Sequence, residues 1–210
     1  MSNFLRMNNT IKVFDENAQV YQDKFIDETK YNSSYDAFIN ELKPKASVLE
    51  LACGPGLITR YISTHRPDLE IIATDLSEKM LDLASINSPT SQFQILDAKE
   101  FASIKKNFEG IICGFGLPYF SKEETLRFIK EASNHLINGG LLYFSLMEDL
   151  YENSGWRKSK DGKHELFIYY HEYEYLVKSL LENDFEVIYE ERLDIPDETS
   201  KDLLLVAKKF

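Results

Sequence analysis

The sequence predicts an α/β fold in which a doubly wound, seven-stranded, mostly parallel sheet is flanked by helices. Two observations carry this. From residue 46 onward, short apolar runs alternate with longer amphipathic ones, the pattern of right-handed βαβ units. The last two apolar runs follow each other with no helix-length crossover between them, which makes the final strand antiparallel.

The elements follow in order. Before the alternation, Phe14, Ala18, Tyr21 and Phe25 recur at helical spacing. Asn32-Ser33-Ser34 interrupts, and Tyr35, Phe38, Ile39 and Leu42 restart the pattern until Lys43-Pro44 stops it. ASVLEL then reads as a buried strand and LITRYISTH as a helix. EIIATD is the second strand, and Ser77 caps the helix SEKMLDLASIN because its hydroxyl accepts from a free N–H of the first turn. FQILD is the third strand, followed by a short helical piece, AKEFASI. FEGIICGF is the fourth. Ser121 and Glu124 form a capping box opening KEETLRFIKEASNHL, which Gly139-Gly140 ends, and LLYFSLM is the fifth strand.

After residue 148 the rhythm loosens. SGWRKSKDGKHELFIYYH holds an Asp161-Gly162 turn between two short strands, a β-hairpin inserted after strand five. EYEYLVKSLLEN is a helix, and FEVIYEERL and DLLLVAKKF are antiparallel neighbours. The expected organisation is one domain over 1–210. It comprises an N-terminal helical cap (1–45), a ligand-binding core (46–147), a hairpin or lid insertion (148–172), and a C-terminal helix with antiparallel strands (173–210).

Composition narrows the function. A chain of 210 residues with 43% hydrophobic and 28% charged residues supports one substantial core. Its net charge of −11 disfavours general binding to nucleic acid or anionic membranes, because phosphates are repelled over most of the surface. No apolar run approaches the roughly 18 residues of a membrane span, and the N-terminus lacks the apolar stretch of a signal peptide. Cys53 and Cys113 form no disulfide framework and no metal-ligand spacing. They read as buried fillers in a reduced, cytoplasmic setting, with no metal expected.

In a parallel sheet, ligands collect beyond the carboxyl ends of the strands. Those ends are Leu51 to Gly56, Asp75, Asp97, and Gly114 to Phe115, so the residues of interest fall on one rim. Gly54 and Gly56 permit a tight turn and close approach of a ligand to backbone N–H groups. The spacing departs from the dinucleotide pattern G-x-G-x-x-G, and Pro55 removes a donor that a pyrophosphate would use. Glu50 would repel a pyrophosphate but suits an ammonium or sulfonium. Asp75 lies about 20 residues past the glycines, where a carboxylate accepts from both ribose hydroxyls. Asp97 is placed to accept from the exocyclic amine of a base. Sugar, base and cationic tail together describe S-adenosylmethionine better than NAD.

VLELACGPGLITRYI, IIATDLSEKML, FQILDAKEF and GIICGFGLPYF resemble, in this order, the motifs of class I S-adenosylmethionine-dependent methyltransferases. HLINGGLLYFSLME resembles the family's corner into the fifth strand, with Asn138 in place of the usual proline, and Ala52 stands where the family usually has glycine. The resemblance implies a Rossmann-like fold and an S-adenosylmethionine cofactor. It implies that Glu50 and the turn from Ala52 through Cys53 and Gly54 to Gly56 face the methionine moiety. By the same resemblance Asp75 holds the ribose, Leu76 and Met80 line the adenine, and Asp97 and Ala98 meet its polar edge. The Gly114 carbonyl receives the methionine ammonium, with Phe115 beside it. An aromatic residue of the N-terminal helix covers the cofactor in many relatives, which makes Tyr21 a candidate, with core packing as its other reading.

Methyl transfer from a sulfonium is mainly a matter of aligning acceptor, methyl and sulfur and excluding water, so no obligatory catalytic residue can be sought. Phe115 and Tyr119 are candidates for acceptor contact. So are the aromatic residues of the hairpin, Trp156, Tyr169 and Tyr170, and His171 is a candidate general base. After the fourth strand, where LPYF stands, neither Asp-x-x-Asp nor Asn-Pro-Pro-Tyr, the signatures of DNA and amino-group methylation, occurs, which favours a small-molecule acceptor in an in-line displacement. A non-catalytic methyltransferase-like module acting through a partner, and a nicotinamide-dependent oxidoreductase, stay open as alternatives. The oligomeric state is not readable.

Overall fold

The computed structural model describes residues 3–159, 162–196 and 198–210. Three helices come first: α1 (Asn3–Glu16), α2 (Ala18–Phe25) and α3 (Asn32–Ile39). The alternating part follows as β1 (Ser47–Leu51), α4 (Leu57–His65), β2 (Glu70–Asp75), α5 (Glu78–Asn87), β3 (Gln92–Ile95), β4 (Phe108–Gly114), α6 (Lys122–His135) and β5 (Leu136–Glu148). The hairpin β6 (Gly155–Lys158) and β7 (Glu165–Ile168) precedes α7 (Tyr173–Glu182), β8 (Phe185–Asp194) and β9 (Lys201–Lys209).

The seven-stranded sheet has the order β3-β2-β1-β4-β5-β9-β8. Strands β1 to β5 are mutually parallel, and β9 is antiparallel to both β5 and β8. The order reverses between β1 and β4, so a crevice opens at their carboxyl ends. The seven-stranded, mostly parallel sheet with an antiparallel last strand is the expected one.

Alternation along the strands sorts side chains into two cores. Leu49, Leu51, Ile111, Cys113, Leu142, Phe144, Leu203 and Leu205 pack beneath α6 and α7 with Phe128, Ile129, Leu176 and Leu180. Val48, Ile112, Leu141, Tyr143, Leu204 and Val206 pack beneath α3 and α4 with Tyr35, Phe38 and Ile62. Each fully buried Leu, Ile or Phe contributes about 1.5–3 kcal/mol, so these two layers dominate the stability of the sheet. Glu50 sits one pleat on from Val48 and shares its face, which aims the carboxylate at α4.

Several local expectations change. The N-terminal helical stretch begins well before Phe14, which lies in α1, while Tyr21 and Phe25 lie in α2. Asn32-Ser33-Ser34 opens α3 instead of interrupting a helix. The polar side chain of Ser34 is buried and satisfied, donating to the Tyr31 carbonyl at 2.6 Å and lying 3.2 Å from the Tyr143 hydroxyl. Gly139-Gly140 does not end α6. The helix stops at His135, and the glycines form a corner inside β5, where pairing jumps from Phe108↔Leu136 to Gly110↔Leu141. Gly139 has φ +79°, and a Cβ at Gly140 would lie 2.8 Å from the Ile137 carbonyl, so the close approach explains the glycine there. AKEFASI is reduced to a single 3-10 turn, Phe101–Ser103, pinned by the buried Phe101.

The Ser77 cap forms as expected, with Met80 N–H donating to its hydroxyl at 3.2 Å, and the Ser121–Glu124 capping box has both of its bonds. The hairpin pairs Gly155↔Ile168 through Lys158↔Glu165. Asp161 of its expected turn lies outside the described residues. No helix is long and apolar enough to cross a membrane among the described residues.

Candidate functional site

The rim is built by the turns that leave β1, β2, β3 and β4. The β1 turn is made of left-handed backbone: φ is +54° at Ala52, +54° at Gly54 and +72° at Gly56. A non-glycine residue there costs roughly 1–2 kcal/mol, so Ala52 stores strain at the site. A Cβ at Gly54 would meet nothing within 4 Å, which leaves the space over the turn open. Gly56 is different. A Cβ there would lie 2.8 Å from Ala84 Cβ, and Gly56 lines neither of the cavities described next. Its glycine serves the packing of α4 on α5.

Asp75 ends β2 and locks this turn. Its carboxylate accepts the Gly54 N–H at 2.8 Å on one oxygen and the Ser77 N–H at 2.9 Å on the other. Burial raises its pKa, and these two N–H bonds oppose the rise. Glu50 is 1% exposed and accepts the Thr59 hydroxyl at 2.6 Å. Burial pushes its pKa up to about 8; the Thr59 bond pulls the other way and the charge of Asp75 adds to the rise. Neither carboxylate forms a salt bridge among the described residues. Buried Glu50 and half-buried Asp75, with no cation beside either among the described residues, make a site that favours a positively charged ligand, because such a ligand stabilises the ionised carboxylates.

The β4 turn faces the β1 turn. Phe115 also has positive φ, +52°, and its N–H donates to the Ser145 hydroxyl at 3.0 Å. A Cβ at Gly116 would lie 2.6 Å from Cys113 Sγ and 3.1 Å from Ala52 Cβ, so the two turns touch only because that residue is glycine. Asp97, at the β3 end, accepts the Lys99 N–H at 2.8 Å.

Two cavities meet here. One is lined by Asp75, Leu76, Met80, Asp97 and Ala98. The other, of about 770 Å³, is lined by Glu50, Cys53, Tyr31, Met147 and Asp202 among others. Tyr21, Ala52, Gly54, Gly114, Phe115 and Tyr119 border both. Every residue expected to face the cofactor, except Gly56, therefore lines one cavity or the other. Tyr21 is wedged between Phe14 at 5.7 Å and Phe25 at 4.7 Å, ring centre to ring centre, and burial pushes its phenol up to about 12. Both thiols are buried and shifted up, which keeps them protonated, as fillers should be.

His171 is not brought to these cavities. It is fully buried, with Nε2 3.0 Å from the Leu117 carbonyl and Nδ1 bonded to the Tyr175 hydroxyl. Burial depresses its pKa to about 4. Both ring nitrogens are occupied, so the structure makes it a brace under the β4 turn rather than a base facing the rim. Of the hairpin aromatics, Tyr169 and Phe167 line the first cavity, while Trp156 packs edge-on against Phe167 outside it.

Four contributors escaped the sequence reading: Arg6, Phe14, Tyr31 and Asp202. Arg6 of α1 lies 3.8 Å over the Phe167 ring and donates to the Tyr169 hydroxyl at 2.7 Å, tying the first helix to the hairpin. Phe14 packs between Tyr21 and Tyr119 in the first cavity. Asp202 had a signal, an acidic residue opening an otherwise apolar strand, as Glu50 interrupts β1.

Residues 48–140 match the family model described as a methyltransferase domain. The chain is 30% identical over 137 residues to the demethylmenaquinone methyltransferase of Thermotoga maritima, covering 63% of this chain and 58% of that protein. It is 29% identical over 142 residues to a malonyl-[acyl-carrier protein] O-methyltransferase of Priestia megaterium, covering 67% and 49%. The chain thus spans about half the length of the curated relatives it matches. Its fold superimposes on that of the Burkholderia thailandensis 1,6-didemethyltoxoflavin-N1-methyltransferase with a TM-score of 0.74 at 16% identity, over 100% of this chain and 91% of that one.

Proposed function

We infer that the chain is a class I S-adenosylmethionine-dependent methyltransferase and acts as an enzyme. We take it to bind S-adenosylmethionine along the rim and transfer the methyl group to a small-molecule acceptor. The observation that carries this reading is a pair of carboxylates with no cation beside them among the described residues, buried Glu50 and half-buried Asp75, beneath a turn left open at Gly54. An adenosine with a positively charged tail fits that set: hydroxyls for Asp75, positive charge near Glu50, and no steric obstacle over Gly54.

When bound, S-adenosylmethionine supplies an already activated methyl group. The residues of this chain are left with binding, orientation and exclusion of water. Asp75 and Asp97 would fix the nucleoside, with Leu76 and Met80 against its apolar face. The Ala52–Gly54 turn and Gly114 would hold the amino-acid tail. Tyr21, Phe14 and Tyr119 would cover it, and the Arg6-tethered hairpin would close the site from above as a lid. Relatives that act on small acceptors, including a demethylmenaquinone methyltransferase, support the acceptor class.

Thermal denaturation with S-adenosylmethionine or S-adenosylhomocysteine tests the reading. Either ligand should raise the melting temperature of the wild-type protein, and Asp75→Ala should remove the rise. Labelled cofactor incubated with a metabolite extract separates an enzyme from a binding module, because only an enzyme passes on the label. No thermal shift in ligand-free wild-type protein would refute the assignment.

A further inference from the structure

The second cavity runs well past the part of the rim that the cofactor would occupy, out to the start of β9. Because β9 is antiparallel to β5, its first residues lie beside the carboxyl end of β5, and Asp202 pairs with Met147. Asp202 is 5% exposed. One of its oxygens, Oδ2, accepts the Tyr31 hydroxyl at 2.7 Å and the Lys30 ammonium at 3.3 Å. The other accepts no hydrogen bond among the described residues. The Tyr31 ring packs 5.1 Å from Phe115, at 54°, and Phe115 borders both cavities. A carboxylate oxygen with spare lone pairs and two aromatic faces therefore share the far end of one cavity.

We propose that this far end is the acceptor subsite and that the acceptor is a planar aromatic molecule presenting an N–H or O–H edge to Asp202, with Tyr31 and Phe115 as its walls. The proposal rests on the methyltransferase reading above and names the chemistry of its second substrate. The second oxygen of a carboxylate on a cavity wall, with no protein donor among the described residues, has lone pairs free for a donor on a ligand. Lys30 already balances the charge of Asp202, so a neutral donor suits the site better than a cationic amine. Tyr31 serves as a fixed donor to Asp202, since burial and that carboxylate push its phenol far above its usual range. Aromatic walls favour a flat ring, because stacked and edge-on pairs gain beyond the area they bury.

The four methionines give the test its readout, since Met80 lines the first cavity and Met147 the second. Protein isotopically labelled at its methionine methyl groups is first loaded with S-adenosylhomocysteine and followed by NMR. The Met80 signal should move. Its failure to move overturns the methyltransferase reading and this proposal with it. Indole and naphthol are then titrated into the loaded protein beside N-methylindole and methoxynaphthalene.

The expected result is movement of Met147 with Met80 unchanged, and binding about tenfold weaker for at least one methylated probe than for its parent, the loss of a hydrogen bond to a charged group. Asp202→Leu should erase that preference while Met80 still answers to S-adenosylhomocysteine. Equal affinities within both pairs, no binding, or probe-induced movement of Met80 in place of Met147 overturns the acceptor subsite and leaves the cofactor reading standing. Should Asp202→Leu fail to fold, the wild-type comparison of methylated with unmethylated probes decides.

Discussion

Glu50 and Thr59 are joined by a 2.6 Å hydrogen bond in the interior between β1 and α4, and this hydroxyl is the only hydrogen-bond donor to the carboxylate among the described residues. Burial lifts the Glu50 pKa to about 8 from 4.5. In the ligand-free protein the folded state thus holds a proton that the unfolded state releases. The associated stability is fully present below about pH 4.5 and is lost as pH rises toward 8. Glu50→Gln should raise the stability of the ligand-free protein at pH 8 by about 4 kcal/mol and flatten this slope, as urea denaturation across pH would measure. The same variant should bind S-adenosylmethionine at least about tenfold more weakly, because a cationic ligand selects the ionised acid.

His171 titrates in the opposite sense. Its folded pKa of about 4 lies below the ordinary 6.5, so its contribution is present above about pH 6.5 and is lost as pH falls toward 4. His171→Ala takes one of two donors from the Leu117 carbonyl, which keeps the Phe120 N–H, and removes the His171 partner of the Tyr175 hydroxyl, and it should cost about 1–3 kcal/mol of stability. The pH profile of methyl transfer should be unchanged in His171→Gln. A profile that loses an inflection near neutrality in this variant would restore the histidine as a base.

Arg6 holds the hairpin to α1 by a cation–π contact and one hydrogen bond, while its Nε is buried without a partner. Loss of the tether costs little folding energy, since the unpaired Nε goes with it. It should speed S-adenosylhomocysteine dissociation about tenfold in Arg6→Ala, equivalent to about 1.4 kcal/mol. Stopped-flow release, with hydrogen exchange over residues 155–168, would measure both. Unchanged release with an unchanged hairpin would mean that this segment is scaffold.

Much of the site was readable because its pieces are local. Glu50, Gly54, Asp75 and Asp97 each sit where a strand of visible periodicity ends, and parallel strands bring all such ends to one rim. The misreadings are local too. Gly139-Gly140 looked like a helix stop, but the helix had already ended at His135, with the Lys209 ammonium donating to the Ser133 carbonyl of its last turn, and the glycines were needed where β5 turns its corner. Gly56 has a second reason to be glycine that the sequence did not show, the close approach of α4 to α5 at Ala84. His171 looked available for chemistry until burial and two hydrogen bonds removed it.

Residue type and spacing were enough for the succession of motifs along the chain, the acidic and glycine-rich rim, and the kind of ligand that such a rim would suit. Those properties follow from residue type and short-range periodicity. Tertiary structure alone decided that Arg6 would reach the hairpin, that Phe14 would lie over the first cavity, and that Tyr31 and Asp202, 171 residues apart, would meet beside Phe115. These contacts depend on where the antiparallel β9 starts and how the first helices pack, and no periodicity encodes distances between elements so far apart along the chain.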